Sequence, residues 1–401
     1  MKTRLKHKKK IGLVLSGGGF KAAAFHIGVC LALKEKGFRF AGGTKEQVQR
    51  SFDLDDPKVI RTYVGSSAGA FVAAILASGY SVEALVNAFE VGLGNKPFYN
   101  NHSLDYLKPI GYRDIFQLNS KNILRSIPLA LAQKSIFKGG LEALLKERFK
   151  INGFCKTSGV EKYLREYAFS HNQFQQLGVN LYIVGTRLNQ AKKVIFGTFS
   201  DLKSPDPTTF VEYATISQAV AASTSLPPVF SPYGIKNQDG ELIHYFDGEI
   251  RDTLSTHVAA DLGADLVISS YSVQPYEYTE EIGSLHQFGI PAIINQALYQ
   301  VIQQKIERAI SYKSDIRAIY NAIDGYFKQN KLPDEHREKI LEIIRNRVNY
   351  KPNVDYIYIA PRSHDYEMFF ADHFSLNPKV LEKIVWFGFK SALNQLRQYE
   401  I

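Results

Sequence analysis

The sequence predicts an α/β protein, with a mostly parallel central sheet covered on both faces by helices. Three observations carry that expectation. Strand-like and helix-like segments alternate along nearly the whole chain. An apolar run at residues 11–15 ends in a three-glycine turn that opens a helix. A second run, at 59–64, ends in Gly65-Ser66-Ser67-Ala68-Gly69, and an apolar helical stretch follows at once.

The chain begins with a basic segment containing Lys2, Arg4, Lys6, Lys8, Lys9 and Lys10. Such a run serves either as a solvated tail or as a contact for an anionic surface. With Ala22-Ala23-Ala24 it also has the outline of a signal peptide. Ser16, three glycines and Lys21 break the apolar stretch between the two, which makes a poor export signal.

Residues 11–15 read as a short buried strand, Ser16-Gly17-Gly18-Gly19-Phe20-Lys21 as a turn, and residues 22–36 as a helix stopped by Gly37. Glycines at a helix start leave backbone N–H groups facing outward, at the positive end of the helix dipole. Such a place binds an anion, or an oxygen that becomes negative during a reaction. The spacing Gly17-x-Gly19-x-x-Ala22 also fits a dinucleotide fingerprint. That motif wants an acidic residue about 20 positions on, and residues 36–42 offer none.

Next comes the pattern around Ser67. Strand, G-x-S-x-G and helix together are the context of a nucleophile elbow. Gly65 and Gly69 let the chain bend sharply enough for the serine hydroxyl to project above the sheet edge. Beside such a serine, the natural anion for the glycine turn is the oxyanion of an attacked ester.

Further strands are expected at 180–184, 243–246, 266–270 and 355–360. Further helices are expected at 82–89, 141–149, 292–312 and 378–398. Residues 95–153 interrupt the rhythm and read as a helical insertion over one end of the sheet. A basic helical stretch spans 317–350. Packing is the default role of both, with a lid or membrane contact as the alternative.

A serine needs a base. Ten histidines are present, but none sits in a context that singles it out; His26 and His244 fit core or rim positions, and His257 is the alternative base for a Ser-His-Asp triad. Asp247, followed by Gly248, ends the strand at 243–246, where α/β sheets place their sites. It is either an ordinary turn residue or a carboxylate that takes the serine proton directly.

Ser16 to Lys21, Gly65 to Gly69 and Asp247-Gly248 occur in the order seen in patatin-like phospholipases, and the chain resembles that family. The block Ser217 to Phe230 resembles the family's helix-to-proline segment before the catalytic strand, and Thr186-Arg187-Leu188-Asn189 resembles its strand-end segment. The resemblance implies a patatin-like sandwich, a Ser67–Asp247 dyad, an oxyanion hole from Gly17, Gly18 and Gly19 with Lys21 flanking the motif, and a lipid acyl hydrolase that uses no metal or cofactor. Glu249 departs from the pattern, because the family has glycine or alanine there.

The domain expected is 11–275, catalytic, with the insertion at about 95–153; residues 276–401 form a helical extension packed on it. The substrate implied is a phospholipid or lysophospholipid, hydrolysed through an acyl-enzyme. A transacylase and a catalytically weakened membrane-binding protein are the alternatives. A formal charge of +10 favours peripheral contact with an anionic membrane surface. Nucleic acid would account for the charge but for none of the motifs. No stretch reads as membrane-spanning, and Cys30 and Cys155 make no disulfide framework. The expected location is the cytoplasm or a membrane periphery, with signal-independent secretion left open. Oligomeric state is not legible.

Overall fold

A computed structural model describes residues 3–5, 7–92, 106–119, 152–199 and 208–400. The helix expected at 141–149 and most of the insertion at 95–153 lie outside the described residues. In chain order, β1 (Ile11–Leu15) leads to α1 (Gly19–Glu35), and the short β2 (Arg39–Phe40) precedes β3 (Val59–Ser66). Then come α2 (Ala68–Ala77), α3 (Val82–Ala88), β4 (Asn180–Arg187), β5 (Lys193–Phe196), β6 (Thr208–Val211) and α4 (Ile216–Ser223). The hairpin β7 (Tyr233–Lys236) and β8 (Leu242–Asp247) is followed by α5 (Thr256–Asp261) and β9 (Leu266–Ser270). The chain closes with α6 (Gly289–Gln329), α7 (Asp334–Val348), β10 (Asp355–Ile359) and α8 (Pro378–Leu396).

These strands form one sheet in the order β7-β8-β4-β3-β1-β9-β10, with β2 beside β3 and β5 linking β4 to β6. The central strands are parallel; β7, β8 and β5 pair antiparallel. Successive strand residues point to opposite faces, so an apolar run serves two cores at once. Leu13, Leu15, Tyr63, Leu181 and Ile183 pack on one face, while Val14, Val64, Tyr182 and Val184 pack on the other. Helices α1, α2, α4 and α8 cover the first face; α5 and part of α6 cover the second.

Residues beyond 275 complete this sheet: β10 pairs in parallel with β9, and α8 lies along α1. Two glycines allow that close approach. A Cβ on Gly28 would lie 2.0 Å from the Val385 carbonyl oxygen, and one on Gly388 2.1 Å from that of Phe25.

Several elements are longer than their sequence signals. Helix α6 begins before Pro291, because a proline in the first turn has no intrahelical N–H to lose. It then runs on to Gln329, and the basic stretch at 317–350 is the end of α6 followed by α7. Strand β4 reaches Arg187, since β8 offers it a partner there. None of the described helices is long and apolar enough to cross a membrane.

Candidate active site

Four parallel strands end together. Leu15 pairs with Gly65 and Ser270, and Ser66 with Val184, so the turns after β1 and β3 emerge side by side. Strand β8 arrives from the opposite direction with Asp247 across from Gly185, one residue beyond the partner of Ser66. That register brings the end of β8 to the start of α2.

Ser67 caps α2 with φ 52° and ψ −121°, a backbone conformation rare for any residue but glycine. The surroundings hold it there. Its N–H donates to Ser223 Oγ at 2.8 Å, and the Ser223 hydroxyl donates to the Val184 carbonyl at 2.6 Å. Gly69 is needed on the other side, because a Cβ there would meet the Leu15 carbonyl oxygen at 2.1 Å. Gly65 packs as closely on Ala70.

Asp247 is buried, 1% exposed, and the Ser67 side chain beside its carboxylate favours the charged form. Oδ1 also accepts the Glu249 N–H at 2.9 Å, and the Asp247 main chain is fixed by Ser225 and Thr186. Burial raises the Asp247 pKa to about 6, against the lowering effect of Ser67 and the Glu249 N–H. Gly248 follows on a tight path, with no room for a Cβ beside the Val184 carbonyl.

The glycine turn faces the same place. Gly17 lies against Ser67: an added Cβ would be 2.8 Å from the serine Cβ. Its N–H is already engaged, however, donating to Glu249 Oε1 at 2.7 Å. Burial first, and then the Asp247 charge, raise the Glu249 pKa to about 8. Gly18 and Gly19 adopt φ 131° and 68°. Among the described residues, neither of their N–H groups meets an acceptor. The next two, on Phe20 and Lys21, are turned to the His373 carbonyl at 2.7 and 3.5 Å.

Lys21 does not face the cleft. Its ammonium is buried against Tyr299 and the Met368 carbonyl, and desolvation lowers its pKa to about 7. No histidine bonds to Ser67 among the described residues. His26 bridges Ser270 Oγ and the Ser16 carbonyl inside the core, and His257 is held by Lys193 and Asp252.

An apolar cleft of about 70 Å³, partly open to solvent, begins at Ser67 and Gly19. Phe20, Ala23, Phe71, Phe89, Phe116 and Phe230 are among the residues that line it. Phe116 and Phe230 stack with ring centroids 5.4 Å apart.

Sequence reasoning passed over three residues. Ser223 stood within the quoted block 217–230 without a role, Glu249 stood out only as a departure from the family pattern, and His373 was one of many histidines. Their partners are remote in the chain.

A strained serine at a strand-to-helix turn, a buried carboxylate and a glycine turn form the kind of site found in hydrolases of the α/β class. The family model for "Patatin-like phospholipase" matches residues 13–260, and the chain belongs to that family. The chain is also similar to one in the crystal structure of full-length SpcU in complex with full-length ExoU, from the type III secretion system of Pseudomonas aeruginosa. Identity is 19%, the match covers 76% of this chain and 52% of that one, and the TM-score is 0.25. This chain therefore spans about half the length of that relative.

Proposed function

We propose that the protein is a lipid acyl hydrolase in which Ser67 is the nucleophile and Asp247 the base. The observation that carries this reading is the strained Ser67 at the mouth of an apolar cleft, with the buried Asp247 carboxylate under the influence of its side chain. The cleft suits a fatty-acyl chain, which leaves the ester carbonyl over the elbow and the alcohol portion toward solvent.

Ser67 Oγ attacks the carbonyl carbon while its proton passes to the Asp247 carboxylate. The electron pair displaced onto the carbonyl oxygen is received by the N–H groups of Gly18 and Gly19. Collapse of this intermediate breaks the bond to the alcohol, and Asp247 returns the proton to the departing oxygen. Water then attacks the acyl-enzyme, gives a proton to Asp247, and Ser67 regains it as the fatty acid leaves. A base with a pKa of about 6 is mostly ionised at neutral pH and still able to accept a proton in the transition state. The sequence points to three glycine donors; with Gly17 held by Glu249, this mechanism uses two.

Residues 276–401 belong to the same catalytic unit in this reading, since they supply β10, α8 and the contacts of His373. The substrate class proposed is a phospholipid or lysophospholipid.

The test is turnover of a fatty-acyl ester. Ser67→Ala and Asp247→Asn should each lower kcat by at least about 10³-fold, with unchanged thermal unfolding. Full activity in either folded variant would overturn the assignment.

A further inference from the structure

The two N–H groups that remain free in the glycine turn are selected by a residue from the far end of the chain. His373 touches the turn twice. Its backbone carbonyl accepts the N–H groups of Phe20 and Lys21, which removes them as donors for any other anion. Its imidazole Nδ1 lies 3.0 Å from the Gly18 carbonyl oxygen. A carbonyl oxygen can only accept, so Nδ1 carries the proton.

The other ring nitrogen is also assigned. Nε2 lies 2.8 Å from the Tyr299 hydroxyl, and that hydroxyl in turn receives the Lys21 ammonium. Lys21 has no acceptor lone pair while charged, so the chain of donation runs Lys21 to Tyr299 to His373 to Gly18. Every step points toward the glycine turn. A neutral imidazole fits both ends, and burial followed by the Lys21 charge lowers the His373 pKa to about 4.

In a trans peptide the C=O and N–H groups point in opposite directions. Holding the Gly18 carbonyl toward His373 therefore turns the Gly19 N–H away from it. Gly19 lines the cleft together with Ser67, so the remaining direction is the one from which an oxyanion would come. The fit is tight. A Cβ on Gly19 would lie 2.3 Å from the His373 carbonyl oxygen, so the two segments are in backbone contact.

We propose that His373 is a positioning residue that orients the Gly18–Gly19 peptide so that its N–H faces the ester oxygen at Ser67. This rests on the acyl-hydrolase reading above. It assigns the C-terminal region a direct part in turnover, through the donor geometry, in addition to completing the sheet.

Asparagine and glutamine separate the two nitrogens. An Asn side chain places its amide near the position of Nδ1 and keeps the side-chain donor for Gly18; a Gln amide reaches the position of Nε2 and leaves Gly18 only the longer bond from the Ala22 N–H, 3.4 Å. Wild type, His373→Ala, His373→Asn and His373→Gln are compared on p-nitrophenyl butyrate, a soluble ester, with thermal unfolding of each. Losing one oxyanion donor typically costs ~10²–10³ in kcat, and a misdirected donor should cost somewhat less. The expected result is a loss of about 10–100-fold in kcat for the Ala and Gln variants, with KM within about twofold. The Asn variant should stay within about threefold of wild type.

Wild-type kcat in the Gln variant would overturn the proposal, and so would losses that fall in KM or follow the order of unfolding temperatures. If the Ala variant does not fold, the Asn–Gln pair still decides. An active wild type with indifferent His373 variants removes only the positioning role. A wild type that neither hydrolyses the ester nor reacts at Ser67 with a fluorophosphonate removes the hydrolase reading, and the positioning role with it.

Discussion

Glu249 and Asp247 are two residues apart, share a buried corner, and carry raised pKa values for related reasons. Burial raises both, and the Asp247 charge adds to the effect on Glu249. The signs give opposite consequences. In the proposed mechanism Asp247 accepts the serine proton only when ionised, so activity should rise as pH passes about 6. Glu249 sits on the Gly17 N–H beside Ser67, and its ionisation near pH 8 would put a second negative charge next to the developing oxyanion. Activity should therefore fall on the alkaline side, giving a bell-shaped profile of kcat/KM. Glu249→Gln keeps an acceptor for Gly17 and cannot ionise; it should remove the alkaline limb and leave the acid limb in place. An unchanged alkaline limb in that variant would mean that Glu249 has no part in it.

At the scale of elements, the site depends on how α1 is held. Its first turn carries the glycine loop, Ala23 one turn later lines the cleft, and Gly28 lies against α8. The contact of α1 with α8 is the most extensive between any two described helices, and glycine is what permits it. Gly388→Val should force the two helices apart, at a cost of about 1–3 kcal/mol for overpacking. In a chain of this size that lowers Tm by roughly 1 °C per kcal/mol. Because α1 bears the donors, kcat should fall as well. Differential scanning calorimetry and ester turnover check both parts, and an unchanged Tm would show that the helices can separate freely. The elements that the sequence made legible share a local cause. A five-residue apolar run followed by a glycine turn declares a strand end, whatever its partners are. The extents of β4 and α6 were less legible, because a neighbouring strand and a permissive first turn set them.

Across the whole molecule, the legible parts of the site were those written in short segments: the glycine turn, the elbow at Ser67, and Asp247 at the end of a strand. What the sequence could not disclose was how those segments are braced. Ser223 supports the elbow from 156 positions away, Glu249 reaches Gly17 across 232, and His373 reaches Gly18 across 355. Such contacts arise from sheet order and helix packing, and no local pattern marks them. The α/β class, by contrast, follows from alternation repeated along the chain, and the mostly parallel sheet bears that expectation out. The C-terminal region shows the same division. A strand at 355–360 was expected from the sequence and forms at 355–359, but its place beside β9 emerges only from the sheet.

The central claim is that Ser67 is an activated nucleophile, and its reactivity can be read directly. The purified protein is treated with a fluorophosphonate, digested, and the modified peptide mapped by mass spectrometry. The account predicts one modified serine, Ser67, with labelling greatly slowed in Asp247→Asn. Labelling at another residue, or none at Ser67 in a protein that still hydrolyses fatty-acyl esters, would contradict it.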